Sequence, residues 1–251
     1  MNRIEERIMV VKKAAPKSNA GRVPLYRALS KLGKASREEA KELILSGKIK
    51  VHGVIETNPS RMINPDRAHI EIEGLKAVKE EPQLILFHKP SGFLTTKRDP
   101  EGRPTIYDLL PKDLFSFHPV GRLDQNTSGL LLLTNSTKIS HYYTDPKNKI
   151  PRTYIVQVRG LVTEEEIALM KKGILDKDEQ LQFHQVVLLK SSQRESKLEV
   201  ILLEGKYREI RRMCLHFEHE VIKLKRIQFG DIELGDLASG AIRVVACELL
   251  L

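Results

Sequence analysis

The apolar positions of this chain change their period several times, and each change marks an element. After Pro24 the residues Leu25, Ala28, Leu29 and Leu32 recur at helical spacing and stop at Gly33, a residue suited to a left-handed helix end. Ser36 and Glu39 form a Ser-x-x-Glu capping box, and Ala40, Leu43 and Ile44 give a second helix one apolar seam before Gly47 closes it. Residues 48–52 alternate as a half-buried strand does, with Gly53 in the turn that follows. Residues 75–82 are charged and end in Pro82, the composition of a linker. Beyond it, residues 84–87 read as a buried strand leading into a Lys89-Pro90-Ser91-Gly92 turn. Four leucines, residues 130–133, drive another strand into the core. Residues 154–158, 185–190 and 197–203 are also strand-like, and helices are expected after Thr163 and at Tyr207. This order predicts a two-domain α+β protein, a small helix, helix, strand unit followed by a larger sheet domain.

Charge adds a direction to that picture. The 251 residues carry 42 Lys plus Arg against 33 Asp plus Glu, a formal charge of +9. Part of the surplus is concentrated: residues 8–37 hold Lys12, Lys13, Lys17, Arg22, Arg27, Lys31, Lys34 and Arg37 without one acid. Residues 1–22 therefore read as a basic tail, with an ordinary frayed terminus as the alternative. A basic protein is drawn to polyanions, of which nucleic acid is the abundant one in the cytoplasm. The two cysteines, Cys214 and Cys247, stand alone in a chain too large to depend on disulfides, which favours a reducing compartment and a cytoplasmic location. The longest apolar run is far shorter than a membrane helix needs, and the polar start MNRIEER has no signal-peptide core, so neither membrane nor export is expected.

The segment HPVGRLDQNTSGLLLLTN carries the candidate chemistry. Gly121 and Gly129 bracket an irregular polar loop containing Arg122 and Asp124, and the leucines pin its far end. Taken alone, Asp124 could be a structural turn aspartate satisfied by nearby N–H groups. In residues 207–217 the apolar seam of Ile210, Met213, Cys214 and Phe217 leaves Arg208, Arg211 and Arg212 on the other side, available for phosphates or simply solvated. Tyr154 at a strand start is a stacking candidate or a plain core tyrosine. Cys214, His216 and His219 match no standard zinc spacing, Glu164–Glu166 after Thr163 reads as helix capping, and no glycine-rich phosphate loop is present.

Two stretches resemble known families. VPLYRALSKLGKASREEAKELILSGKIKVHGVIETNPSRMINPDRAHIEIEG resembles an S4 RNA-binding domain, with Tyr26-Arg27 where Asp-Lys is usual and His52 where Asn is usual. GRLDQNTSGLLLLTN resembles the catalytic motif of pseudouridine synthases in the branch that carries an S4 domain and modifies ribosomal RNA. The likeness continues through LILFHKPSG, DPEGRPTIYDLLP, EGKYREIRRMCLHFEHEVIKLKRIQFGDIELGDL and ASGAIRV, and tilts toward the large-subunit enzyme B of that branch. The resemblance implies an S4 module over 23–74, a linker over 75–82 and a synthase domain over 83–251 on a mixed, mainly antiparallel sheet. It implies isomerisation of a uridine in ribosomal RNA, 23S rather than 16S, by a cytoplasmic monomer without metal or cofactor. Asp124 would be the catalytic carboxylate, Arg211 its partner and Tyr154 the active-site tyrosine. Ile210, Arg122, Lys89, Arg208 and Arg212 would contact substrate, and Lys34, Arg37, Lys48 and Lys50 would hold folded RNA. An RNA-binding assembly factor without chemistry, or a synthase acting on tRNA, are the alternatives.

Overall fold

A computed structural model describes residues 21–32, 34–35, 37–76 and 81–245. The expectations for the tail up to residue 20, the Gly33 helix stop, the Ser36 cap, linker residues 77–80 and Cys247 lie outside the described residues. The described residues divide into two compact units, 21–32 with 37–76, and 34–35 with 81–245.

In the small unit, α1 (Leu25–Lys31) buries Leu25, Ala28 and Leu29, and α2 (Arg37–Leu45) buries Ala40 and Ile44, as their spacing requires. A four-stranded antiparallel sheet follows, made of β1 (Ile49–Val51), β2 (Val54–Ile55), β3 (Ile70–Ile72) and β4 (Leu75–Lys76), in the order β2-β1-β3-β4. Leu75 and Lys76 are thus part of the sheet rather than the start of the linker, because they pair with Ile72 and Glu71. His52 has a φ of 53° in the β1–β2 turn, which explains the family's Asn there: Asn accepts left-handed backbone easily, and His is among the few residues that also do.

The large unit is built on a nine-stranded sheet, seven strands in one path and two short ones, His118–Pro119 and Ile232–Glu233, paired beside it. Its path in chain order is β5 (Leu84–Lys89), β6 (Ser128–Thr134), β7 (Arg152–Arg159), β10 (Gln185–Ser191), β11 (Glu195–Leu202), β12 (Val221–Phe229) and β13 (Ile242–Val245), while β8 (Ile174–Asp176) and β9 (Glu179–Leu181) form a separate hairpin. The spatial order is β10-β11-β7-β12-β6-β5-β13. Every pairing is antiparallel except β6 with β12, a short parallel seam in which Ser128 faces Lys225 and Gly129 faces Arg226.

The run of leucines is explained by burial on both faces. Leu131 and Leu133, with Ile85 and Phe87 of β5, enter the larger core; Leu130 and Leu132, with Leu84 and Leu86, enter a second core. That second core is closed by Tyr143 of α3 (Thr137–Thr144) and by Phe229, Ile232 and Leu234. On the first face, α4 (Glu164–Lys172) starts at the expected capping box, with Thr163 and Glu166 satisfying each other's backbone N–H groups. Residues 106–110 form a 3₁₀ turn over Ile106–Asp108 that buries Ile106 and Tyr107. The helix expected at Tyr207 begins later, at Glu209: α5 (Glu209–His216) has Arg208 as its N-cap in left-handed backbone, φ 47°.

Candidate active site

The Asp124 loop is fixed chiefly through its main chain. Thr127 N–H donates to the Asp124 carbonyl at 3.0 Å, closing a tight turn, and Gly92 N–H donates to the Gln125 carbonyl at 2.8 Å. Thr95 Oγ1 donates to the Leu123 carbonyl at 2.7 Å. Lys89 is the centre of this lacing. Expected to touch substrate, it is instead 0% exposed, and its Nζ reaches the carbonyls of Pro90, Asp124, Gln125 and Thr127 at 2.8–3.2 Å. The residue is buried because β5 carries it straight in from the end of a strand whose six residues are all buried. Burial pushes the Lys89 ammonium down to about 8, against the attraction of the Asp124 carboxylate. Near neutral pH it remains charged and can donate three hydrogens to the loop.

The facing wall comes from α5 and the sheet. Arg122, Asp124, Thr127, Tyr154, Leu202, Leu224, Arg208, Ile210 and Arg211 line one cavity, together with Lys206 and Glu209. The loop, the helix and three strands thus meet at one place. Arg208 Nη1 lies 3.5 Å from Asp124 Oδ2, both side chains about a third or more exposed. Arg211, the expected partner of that carboxylate, instead donates to the Asn126 carbonyl at 2.8 Å and the Val221 carbonyl at 3.3 Å. Its Nε is buried without a partner among the described residues. Burial lowers its pKa, as does the Arg208 charge, while Asp124 acts in the opposite direction. Arg211 therefore ties the Asp124 loop to α5, and Arg208 makes the ion pair. The exchange follows from the late start of the helix, which leaves Arg208 on the turn that faces Asp124.

Arg212 does not join the cavity. Its guanidinium meets Asp176 and Glu179 of the β8–β9 hairpin and also donates to the carbonyls of Asp176 and Tyr207, so no donor set is left for a phosphate. Arg152 is likewise internal, with donors on the carbonyls of Ile150, Tyr143 and Leu203 and its guanidinium carbon 4.9 Å from the centre of the Phe229 ring. A planar guanidinium fork suits those three separated acceptors. Glu209 was missed by sequence reasoning. It is buried, its Oε1 has no partner among the described residues, and burial raises its pKa. Nothing separates it in the sequence from an ordinary first-turn acid. The Cys214 thiol is buried and pushed up to about 12, which makes it inert. His219 is held between the Arg159 carbonyl and Glu166.

In the small unit Arg37 and Lys50 are exposed and Lys48 forms an exposed pair with Glu73 at 2.7 Å, while Lys34, which falls outside that unit, is half-buried.

Comparison with known proteins bears directly on this arrangement. Residues 83–216 match the RNA pseudouridylate synthase family, and residues 23–67 match the S4 domain. The chain belongs to the RNA pseudouridine synthase family. A ribosomal large subunit pseudouridine synthase B from Bacillus subtilis (strain 168) is 35% identical over 222 residues, covering 87% of this chain and 90% of the relative. A protein of the same description from Vibrio cholerae is 36% identical over 216 residues, covering 84% and 67%. A crystal structure of a pseudouridylate synthase superposes with a TM-score of 0.63 at 28% identity, covering 91% of this chain and 98% of the other. This pseudouridine synthase has, among the described residues, no helix long and apolar enough to cross a membrane.

Proposed function

We propose that this synthase isomerises a uridine of large-subunit ribosomal RNA, with Asp124 as the reacting carboxylate. The observation that carries the reading is the placement of a partly exposed carboxylate on a laced loop, in a cavity shared with Tyr154, Ile210 and the three arginines Arg122, Arg208 and Arg211. Isomerisation breaks the bond from the sugar to N1 and makes one to C5; the proton lost from C5 balances the one gained at N1, so no cofactor enters the balance. Asp124 must be ionised to act on an electron-poor carbon of the sugar or ring, and Arg208 stands 3.5 Å from it as a counter-charge. Tyr154, in the lining of the cavity, suits contact with the detached base while it turns. The large-subunit target is supported by the descriptions of the Bacillus and Vibrio relatives. Extruding the uridine costs a few kcal/mol, and the S4 module, through Lys34, Arg37, Lys48 and Lys50, would supply part of the compensating phosphate contacts.

The test is to incubate the protein with separate transcripts of large-subunit rRNA, small-subunit rRNA and tRNA and to map pseudouridine by mass spectrometry. New pseudouridine in the large-subunit transcript is expected; modification confined to either of the others overturns the target assignment. Lys89 offers a second check, as a positioning residue. Lys89→Met should lower kcat on the order of tenfold to a hundredfold by letting the Asp124 loop drift, with RNA affinity kept. The sign of the pH effect is fixed by the direction of the shift: as pH rises through about 8 the buried ammonium loses its charge and one of three donors, so wild-type kcat should fall on that limb. The Met variant should lack this limb. An unchanged profile in Lys89→Met would show that Lys89 does not position the loop.

A further inference from the structure

Tyr207 stands between two residues that line the cavity, Lys206 and Arg208, and its side chain is 77% exposed. Among the described residues its ring makes no aromatic contact and its hydroxyl no hydrogen bond. Tyr142, also exposed, differs in packing edge-on against Tyr143 at 5.4 Å. Around Tyr207 the polar groups are already engaged. Lys206 Nζ donates to the Gln180 carbonyl and pairs with Glu204, and Arg208 faces Asp124. Arg212 donates to the Tyr207 carbonyl at 3.2 Å while Asp176 and Glu179 hold the rest of its guanidinium. The backbone under the ring is therefore clamped from both sides, and the ring alone is uncommitted.

Drawing one uridine out of an RNA stack leaves its neighbours without a stacking partner. An aromatic face beside the cavity that receives the uridine can replace that partner whatever the neighbouring base is, because every base has a π-face. We propose that Tyr207 is a stacking platform for a nucleotide adjacent to the target uridine in bound RNA. The platform also gives a purpose to the two-carboxylate clamp on Arg212, which the phosphate reading of that residue leaves without one. The inference rests on the synthase's action on RNA, not on the choice of ribosomal target.

The test compares wild type with Tyr207→Phe, Tyr207→Leu and Tyr207→Ala on whichever of the three transcripts above the wild type modifies, reading kcat/KM and RNA affinity across a salt series. Leu and Ala should lose roughly tenfold to a hundredfold in kcat/KM and weaken binding, while Phe stays within about twofold. The slope of log affinity against log salt should not change, since no charge is removed, and melting temperatures should be unaltered. A Tyr207→Ala variant within about twofold of wild type in both readouts overturns the platform, as does a Phe variant that falls as far as Ala, because the hydroxyl and not the ring would then be the active group. Wild-type activity on tRNA or small-subunit rRNA alone overturns the large-subunit target instead and leaves the Tyr207 comparison readable on that RNA. Affinity for the transcripts supplies the same comparison where turnover is slow.

Discussion

Asp124→Asn is expected to reduce pseudouridine formation by on the order of ten-thousandfold or more while leaving RNA affinity nearly unchanged. Asn keeps the size and planarity of the side chain and removes only the charge, so the variant isolates the chemical role. The loop should survive the change because the bonds that hold it run from Lys89, Thr95, Gly92 and Thr127 to main-chain atoms, not to the Asp124 carboxyl. What is lost structurally is a half-exposed ion pair with Arg208 at 3.5 Å, a contact of little worth to stability in water. Single-turnover formation of pseudouridine, measured beside filter binding of the same RNA, separates the two quantities. If affinity fell in step with activity, Asp124 would be a binding residue and the catalytic assignment would fail.

Gly129→Ala should be severely destabilising, on the order of 4 kcal/mol or more, with a melting temperature lower by roughly ten degrees. Gly129, the second residue of the leucine strand, faces Arg226 across the parallel seam, and its φ is 105°. A methyl group there would sit 2.1 Å from the Arg226 carbonyl oxygen and 2.7 Å from the Arg226 nitrogen, both backbone atoms that cannot swing aside. The two strands would have to part, and the Asp124 loop is attached to one of them. Gly205→Ala is the control, since a Cβ at that position meets nothing within 4 Å. Thermal unfolding of the two variants is the measurement; equal melting temperatures would mean that the seam tolerates separation and does not anchor the loop.

The sequence carried some of these features openly and hid others, for identifiable reasons. The Thr163–Glu166 box, the two helices of the small unit and the seam of Ile210, Met213 and Cys214 were legible because each depends on residues within one or two turns of one another. The double burial of residues 130–133 was legible because a strand without polar positions has no face to give to water. Lys89 was not, since a lysine at the end of a buried strand looks like the place where the strand leaves the core, and its four acceptors arrive largely from a loop some thirty-five residues away. Arg212 was misread for the same reason: Asp176 and Glu179 are supplied by a hairpin that no local pattern brings near α5. The exchange of Arg211 for Arg208 beside Asp124 turns on one residue in left-handed backbone, a distinction that apolar periodicity does not resolve.

The parallel seam also sets a limit on when this protein can become active. Strand β6 and strand β12 meet only after most of the synthase domain has been made; the Arg226 bond to the Leu130 carbonyl spans 96 residues of chain. Closing so long a loop is slow compared with forming the local hairpins on either side of it. The hairpin of β10 and β11 can form early, but the walls around Asp124 come together last. Refolding experiments should therefore find secondary structure recovered before turnover, and a nascent chain should acquire no ability to modify RNA until β12 has emerged.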